Sequence, residues 1–303
     1  MTSGKKEFTG NARQGNRRKK VGKLGDAENF SQTRKLFEDI AGLSDTPEIA
    51  FHCAKKVFNL ITSYGDDGKI PEARKLFEDM AGLGDAPKVA LERARAAFNL
   101  ISDYGRAKNL PEARKIFEEM AGLGDTPEIA LERARATVNL IGYHENAESL
   151  PEAHKLFEDM AGLGDTQEIT LFRAMAAFNL ISRYKIAGNL PEARKLFEDT
   201  AKLGNAPGVA LERARAAVNL ISGYSRAGNL PEARQVFEDM AELGNATEIA
   251  RYRAMAIVNL TAGYRIVGQP NNAELLLEEL LKDEVWYSAF SESASEMQKG
   301  ESG

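Results

Sequence analysis

Five prolines, Pro71, Pro111, Pro151, Pro191 and Pro231, recur at intervals of 40 residues, and each opens a close copy of PEARKLFEDMAGLG. The same interval carries Asn59, Asn99, Asn139, Asn179, Asn219 and Asn259 in the phrase NLI, which becomes NLT in the last copy. Both halves of a 40-residue unit therefore repeat, in six full copies: 45–84, 85–124, 125–164, 165–204, 205–244 and 245–284. Residues 31–44, SQTRKLFEDIAGLS, form an orphan second half ahead of the first copy. A unit this small cannot bury its apolar surface alone, so the copies must stack on one another.

Each copy reads as two helices. In the third, Ala130, Leu131, Ala134, Val138 and Ile141 recur at three- and four-residue intervals, which places them on one face of a helix from about Pro127 to Ala147. A second helix runs from about Pro151 to Met160 with Ala153, Phe157 and Met160 inward. Asp125 or Thr126 can accept from the free amides of the first helix, Pro127 sits where no donor is needed, and Asn189-Leu190-Pro191-Glu192 starts a second helix in the same way. Gly188, Gly228 and Gly268 mark the end of the first helix and Gly82, Gly122 and Gly162 the end of the second, all expected in a left-handed conformation. The fold expected is all-α, a right-handed α-solenoid of stacked antiparallel helix pairs with a 40-residue period. It replaces the two globular domains that 303 residues would otherwise suggest. The recurrent GLGD is not a phosphate loop, because no strand precedes it.

The formal net charge of -5 hides an asymmetry: residues 1–30 carry a net +5 and residues 31–303 a net -10. The basic stretch, including Arg17, Arg18, Lys19 and Lys20, reads either as a disordered solubilising tail or as a contact for nucleic acid or an anionic partner. One cysteine, Cys53, excludes an intramolecular disulfide and fits a reducing compartment. The N-terminus has no apolar core of a signal peptide, and no apolar run approaches the roughly 18 residues of a membrane span. A soluble cytoplasmic protein without a membrane partner is expected. At the far end, Trp286, Tyr287 and Phe290 either cover the terminal apolar edge of the stack or dock on another protein.

In the fifth copy, the order and spacing of Asn219, Leu220, Tyr224, Gly228, Ala233 and Phe237 resembles the tetratricopeptide repeat, a likeness that recurs over residues 45–284. The period departs from that family's usual 34 residues, with the first helix extended at its N-terminal end. LISGYSRAGNLPEARQVFEDM is also similar to the pentatricopeptide repeat, a sister family that binds single-stranded RNA one base per repeat, and Met80, Met120, Met160 and Met240 fit that family somewhat better. Base-by-base reading needs different side chains in the reading slot, and the nearest slot is Asn in all six copies. An RNA groove should also be basic, whereas the repeated region is acidic.

Projection at 100° per residue gathers Phe172, Met175, Asn179, Ser182 and Ile186 on one stripe of the first helix. The tetratricopeptide resemblance implies that such stripes line a concave groove in which the six asparagines clamp an extended peptide. The alternative is that they hydrogen-bond between successive helices and hold the stack in register. Four residues before each Asn stand Lys55, Arg95, Arg135, Met175, Arg215 and Met255; seven before stand His52, Glu92, Glu132, Phe172, Glu212 and Tyr252. The three Glu/Arg pairs suit ion pairs along one helix, giving a neutralised face. The basic residues also match positions that bind carboxylates in tetratricopeptide proteins. Copies four and six depart together: Phe172, Met175 and Ile186, and Tyr252, Met255 and Ile266, suggest two apolar pockets for hydrophobic anchors of a partner. Packing on neighbouring helices is the other reading.

Nothing points to catalysis, a metal or a cofactor. Cys53 and His52 are adjacent on a helix and diverge by about 100°, with no third orienting group. His144 and His154 lack a third ligand at metal spacing. The expected function is a non-enzymatic adaptor or scaffold that binds a peptide or protein segment. An RNA-binding module and a self-assembling solenoid are the alternatives, and the oligomeric state is open.

Overall fold

The computed structural model describes residues 47–144 and 149–282. The orphan segment 31–44, the basic residues 1–30 and Trp286, Tyr287 and Phe290 lie outside the described residues. Twelve α-helices occur among the described residues: α1 (Pro47–Asp66), α2 (Ile70–Asp79), α3 (Pro87–Arg106), α4 (Leu110–Ala121), α5 (Pro127–Tyr143), α6 (Leu150–Asp159), α7 (Gln167–Ile186), α8 (Leu190–Asp199), α9 (Pro207–Arg226), α10 (Leu230–Asp239), α11 (Thr247–Ile266) and α12 (Pro270–Lys282). Odd-numbered helices are the first of each copy and even-numbered ones the second.

The chain forms two compact units, one ending at Ala136 and the other beginning at Thr137. In the first, α1 packs on α2 and α3, and α3 packs on α2 and α4. In the second, α7 packs on α6, α8 and α9; α9 packs on α10 and α11; and α11 packs on α10 and α12. Within their units α1, α3, α7, α9 and α11 thus each touch their own partner and the first helix of a neighbouring copy, which is the contact pattern of an all-α solenoid. Alanine makes the close stacking possible. Ala94, Ala96, Ala97, Ala134, Ala136, Ala216 and Ala217 are at most 2% exposed, and the short side chains let first helices approach while Leu100, Ile101, Leu220 and Ile221 fill the space behind them.

Helix starts follow the expected chemistry in part: Asn189 makes no side-chain cap bond at the start of α8, where Pro191 opens the helix, whereas Asn109 accepts from the Glu112 amide at 3.4 Å at the start of α4. Thr126 and Thr166, rather than the preceding aspartates, accept from the amides of Ile129 and Ile169 at 3.4 and 3.3 Å. The aspartates serve instead as ion-pair partners, Asp125 and Asp165 each lying 3.4 Å from a guanidinium, of Arg133 and Arg173. The same arginine slot gives Arg93–Asp85 at 3.8 Å and Arg213 and Arg253 bonded to Asn205 and Asn245. Arg253 also donates to the Met240 carbonyl at 2.5 Å. This ladder, buried at Arg213 and Arg253 and half-buried at Arg93, Arg133 and Arg173, ties the first helices of copies two to six to the loops that precede them. Buried Cys53 occupies the slot in the first copy, and burial pushes its thiol pKa up.

Two expectations need correction. Gly122 has φ -81°, and Gly82 and Gly162 lie in the short 3-10 turns Met80–Leu83 and Met160–Leu163; none is left-handed. The positive φ falls two residues later, at Gly84, Gly124 and Gly164, because the helix tightens into a 3-10 turn before it breaks. In the third copy α5 stops at Tyr143, short of Ala147. Residues 145–148, over which the sequence carried the helix on to Ala147, lie outside the described residues.

Candidate partner-binding stripe on the first helices

The asparagine stripe is built by stacking. Asn99 Nδ2 donates to Thr62 Oγ1 at 2.8 Å, and Asn219 Nδ2 donates to Ser182 Oγ at 2.8 Å. Each accepting hydroxyl donates its own proton one turn back along its helix, to the carbonyls of Phe58 and Phe178 at 3.0 and 2.8 Å. Where the third copy has Gly142 instead of a hydroxyl residue, Asn179 Nδ2 reaches the Val138 carbonyl at 3.3 Å. Lys185 Nζ completes the fifth-copy amide, 3.2 Å from Asn219 Oδ1. The amide donors of Asn99, Asn179 and Asn219 are therefore used between helices of the stack. Asn59 is exposed on α1, and Asn139 and Asn259 are half-buried.

Charges on the stripe are mutually engaged. Arg95 pairs with Glu92 at 2.9 Å and approaches Glu132 at 3.8 Å, Arg135 pairs with Glu132 at 2.9 Å, and Arg215 pairs with Glu212 at 2.8 Å. The three glutamates are no more than 7% exposed. Arg135 and Arg215 also lie over the rings of Phe98 and Phe178, 4.3 and 4.2 Å from their centroids. A guanidinium held over an aromatic ring and bonded to a buried carboxylate is a packing element of the stack as much as a surface charge. Lys55 and His52 in the first copy are exposed.

The apolar substitutions stay open. Phe172, Met175 and Tyr252 are half-buried, Met255 is 37% exposed, and Ile186 and Ile266 are 70% and 68% exposed. Met175 and Ile186 are eleven residues apart, about 16 Å along the axis, so each triplet forms an elongated strip. A separate cavity of about 570 Å³ lies elsewhere, lined by Leu150, Pro151, His154, Tyr184, Glu192 and Lys195. His154 Nδ1 is 2.9 Å from the Tyr184 hydroxyl, and Nε2 is 3.6 Å from Glu158. In the corresponding slot Arg74 and Arg194 bridge to the next copy at Glu119 and Asp239, 2.6 and 2.7 Å away. Among the described residues no group of three His, Cys, Asp or Glu could hold a metal ion, and no helix is long and apolar enough to cross a membrane.

Residues 59–85, 99–125 and 218–245 match the family model of the PPR repeat. Each match opens at the stripe asparagine or one residue before it and runs through the second helix into the following loop. The chain is a helical-repeat protein with PPR similarity. The match is to the resemblance that the sequence placed second and not to the tetratricopeptide one that it placed first. No curated protein matches the chain.

Sequence reasoning missed the arginine ladder of Arg93, Arg133, Arg173, Arg213 and Arg253. A signal existed: copies four and six change the flanking residues to Phe172, Met175, Tyr252 and Met255 yet keep Arg173 and Arg253.

Proposed function

We propose that this helical-repeat protein is a non-catalytic adaptor that binds a protein segment along the first-helix stripe of its second unit. One observation carries the reading. The polar groups repeated along the stripe, Asn179 and Asn219 with Glu212 and Arg215, are consumed by the stack, whereas Phe172, Met175, Ile186, Tyr252, Met255 and Ile266 remain accessible at the same phase. Open apolar side chains among neutralised charges suit the anchors of a protein segment. The tetratricopeptide likeness of the stripe supports the same choice.

A second reading is single-stranded RNA binding, favoured by the match to the PPR repeat. The test is affinity capture with and without ribonuclease, using wild type and the single variants Phe172→Glu and Tyr252→Glu, each verified as folded by circular dichroism. The adaptor reading expects ribonuclease-resistant protein partners that both variants lose. Ribonuclease-sensitive RNA with no protein partner overturns it, as does partner capture that neither variant weakens.

A further inference from the structure

The C-terminal ends of α7, α9 and α11 differ in charge from those of the first unit. In the first unit the one arginine in these slots, Arg106, is paired with Asp103, and Asp66 lies close enough to raise the Asp103 pKa. In the second unit the corresponding slots hold Arg183, Lys185, Arg226 and Arg265, and among the described residues none of the four has a carboxylate at ion-pairing distance. Arg183 spends a guanidinium nitrogen on the Gly142 carbonyl at 2.5 Å. Lys185 is half-buried against Gly223, where an added Cβ would lie 3.0 Å from Lys185 Cγ; the missing side chain makes its room. Burial and the neighbouring Arg226 charge both lower the Lys185 pKa. An ammonium held beside another cation with only an amide oxygen for company is an anion-deficient arrangement.

Ile186, Arg226 and Ile266 occupy one slot in three successive copies, so the row reads apolar, cationic, apolar, and all three side chains are exposed. We propose that these helix ends recognise an extended acidic segment of a partner protein, with its carboxylate between Lys185 and Arg226 and apolar residues on either side against Ile186 and Ile266. Neighbouring packed helices lie about 8–10 Å apart, and an extended chain advances about 3.3 Å per residue. The recognised pattern is therefore an acid with an apolar residue about three positions before it and another about three after. A phosphodiester strand fits the row poorly. It carries charge at every nucleotide, while two of the three slots are isoleucine and no aromatic residue stands among them for base stacking. The inference rests on the adaptor reading and names the chemistry of its partner.

The test is selection of phage-displayed random dodecapeptides on the full chain, followed by fluorescence anisotropy of the recovered peptides and of a uridine oligonucleotide. The expected peptides carry Asp or Glu with apolar residues near three positions to either side. Their affinity should fall at least tenfold for the double variant Lys185→Gln/Arg226→Gln and for peptides whose acid is replaced by its amide. Lys115→Gln, on the first unit, should bind as wild type does. Recovery of no peptide, of peptides without an acid, or of peptides indifferent to the double variant overturns the proposal. Peptides lost in Phe172→Glu but kept in the double variant overturn this site while leaving the adaptor reading standing. Oligonucleotide binding that the double variant abolishes, with no peptide recovered, overturns both.

Discussion

Asn219 reaches from α9 to α7 and donates its amide to Ser182 at 2.8 Å, while Ser182 passes its own proton to the Phe178 carbonyl. Asn99 and Thr62 make the same bond in the first unit. The bond fixes where one helix stands along the next. Removing either partner strands a half-buried polar group, so Asn219→Ala and Ser182→Ala should each lower stability by about 1–2 kcal/mol. Because the two side chains share one bond, the double variant should cost less than the two singles together, with a coupling of about 0.5–1 kcal/mol. Urea denaturation of the four proteins measures it, and strict additivity would remove the register role.

Lys108 is the one non-glycine residue with positive φ among those described, at 59°. Its counterparts Gly68, Gly188, Gly228 and Gly268 have φ between 73° and 77°. The left-handed turn exists because the next amide must reach back to close the helix, as Asn109 does to Tyr104 at 2.8 Å. A side chain there is strained by roughly 1–2 kcal/mol, partly offset by the greater freedom of glycine in the unfolded chain. Lys108→Gly should therefore stabilise by about 0.5–1 kcal/mol, and Gly188→Ala should destabilise by about 1 kcal/mol or more. Thermal denaturation decides; a lower midpoint for Lys108→Gly would contradict the strain.

Asp103 is 5% exposed and faces Gly65, and burial raises its pKa against the pull of Arg106, with Asp66 adding to the rise. A carboxyl whose folded pKa exceeds its unfolded value, near 3.9, binds more protons folded than unfolded in the window between the two. Stability then declines as pH rises through that window. Asp103→Asn should abolish this decline and should match or exceed wild type at neutral pH. Urea midpoints across a pH series give the comparison. An unchanged slope in the variant would show that another group is responsible.

The helix pairs, their stacking and the phase of the stripe were legible because a 40-residue period repeats each local signal six times, and helix starts obey short-range rules. The two roles left open for Asn99, Asn179 and Asn219 were not separable in sequence, since the hydroxyl that accepts the amide proton lies 37 residues away in two cases and is replaced by a backbone carbonyl in the third. The glycine assignments erred for a local reason. A 3-10 turn shifts the break by two residues, and GLG contains a glycine at either place. The cationic helix ends escaped notice because only Lys185 and Arg265 share an offset, Arg183 and Arg226 fall at two others, and the charges come together only when α7, α9 and α11 pack.

Arg253 shows what the unforeseen ladder does for the fold. It is 3% exposed, and it bonds Asn245 Oδ1 at 2.8 Å and the Met240 carbonyl at 2.5 Å, fastening α11 to the turn that follows α10. Replacing it with Met fills similar space but leaves the Met240 carbonyl and the Asn245 amide oxygen without their donor. A buried acceptor stripped of a charged donor costs about 2–3 kcal/mol. Arg253→Lys keeps the charge and its N–H donors on a single nitrogen but cannot span both acceptors with a planar fork, so it should recover only part of that loss. Hydrogen exchange adds a readout specific to the site: amides of α11 should lose protection in Arg253→Met, while those of α1 and α3 in the other unit should not. Equal loss in both units would mean that the variant weakens the chain globally and that the arginine does not act as a local tie.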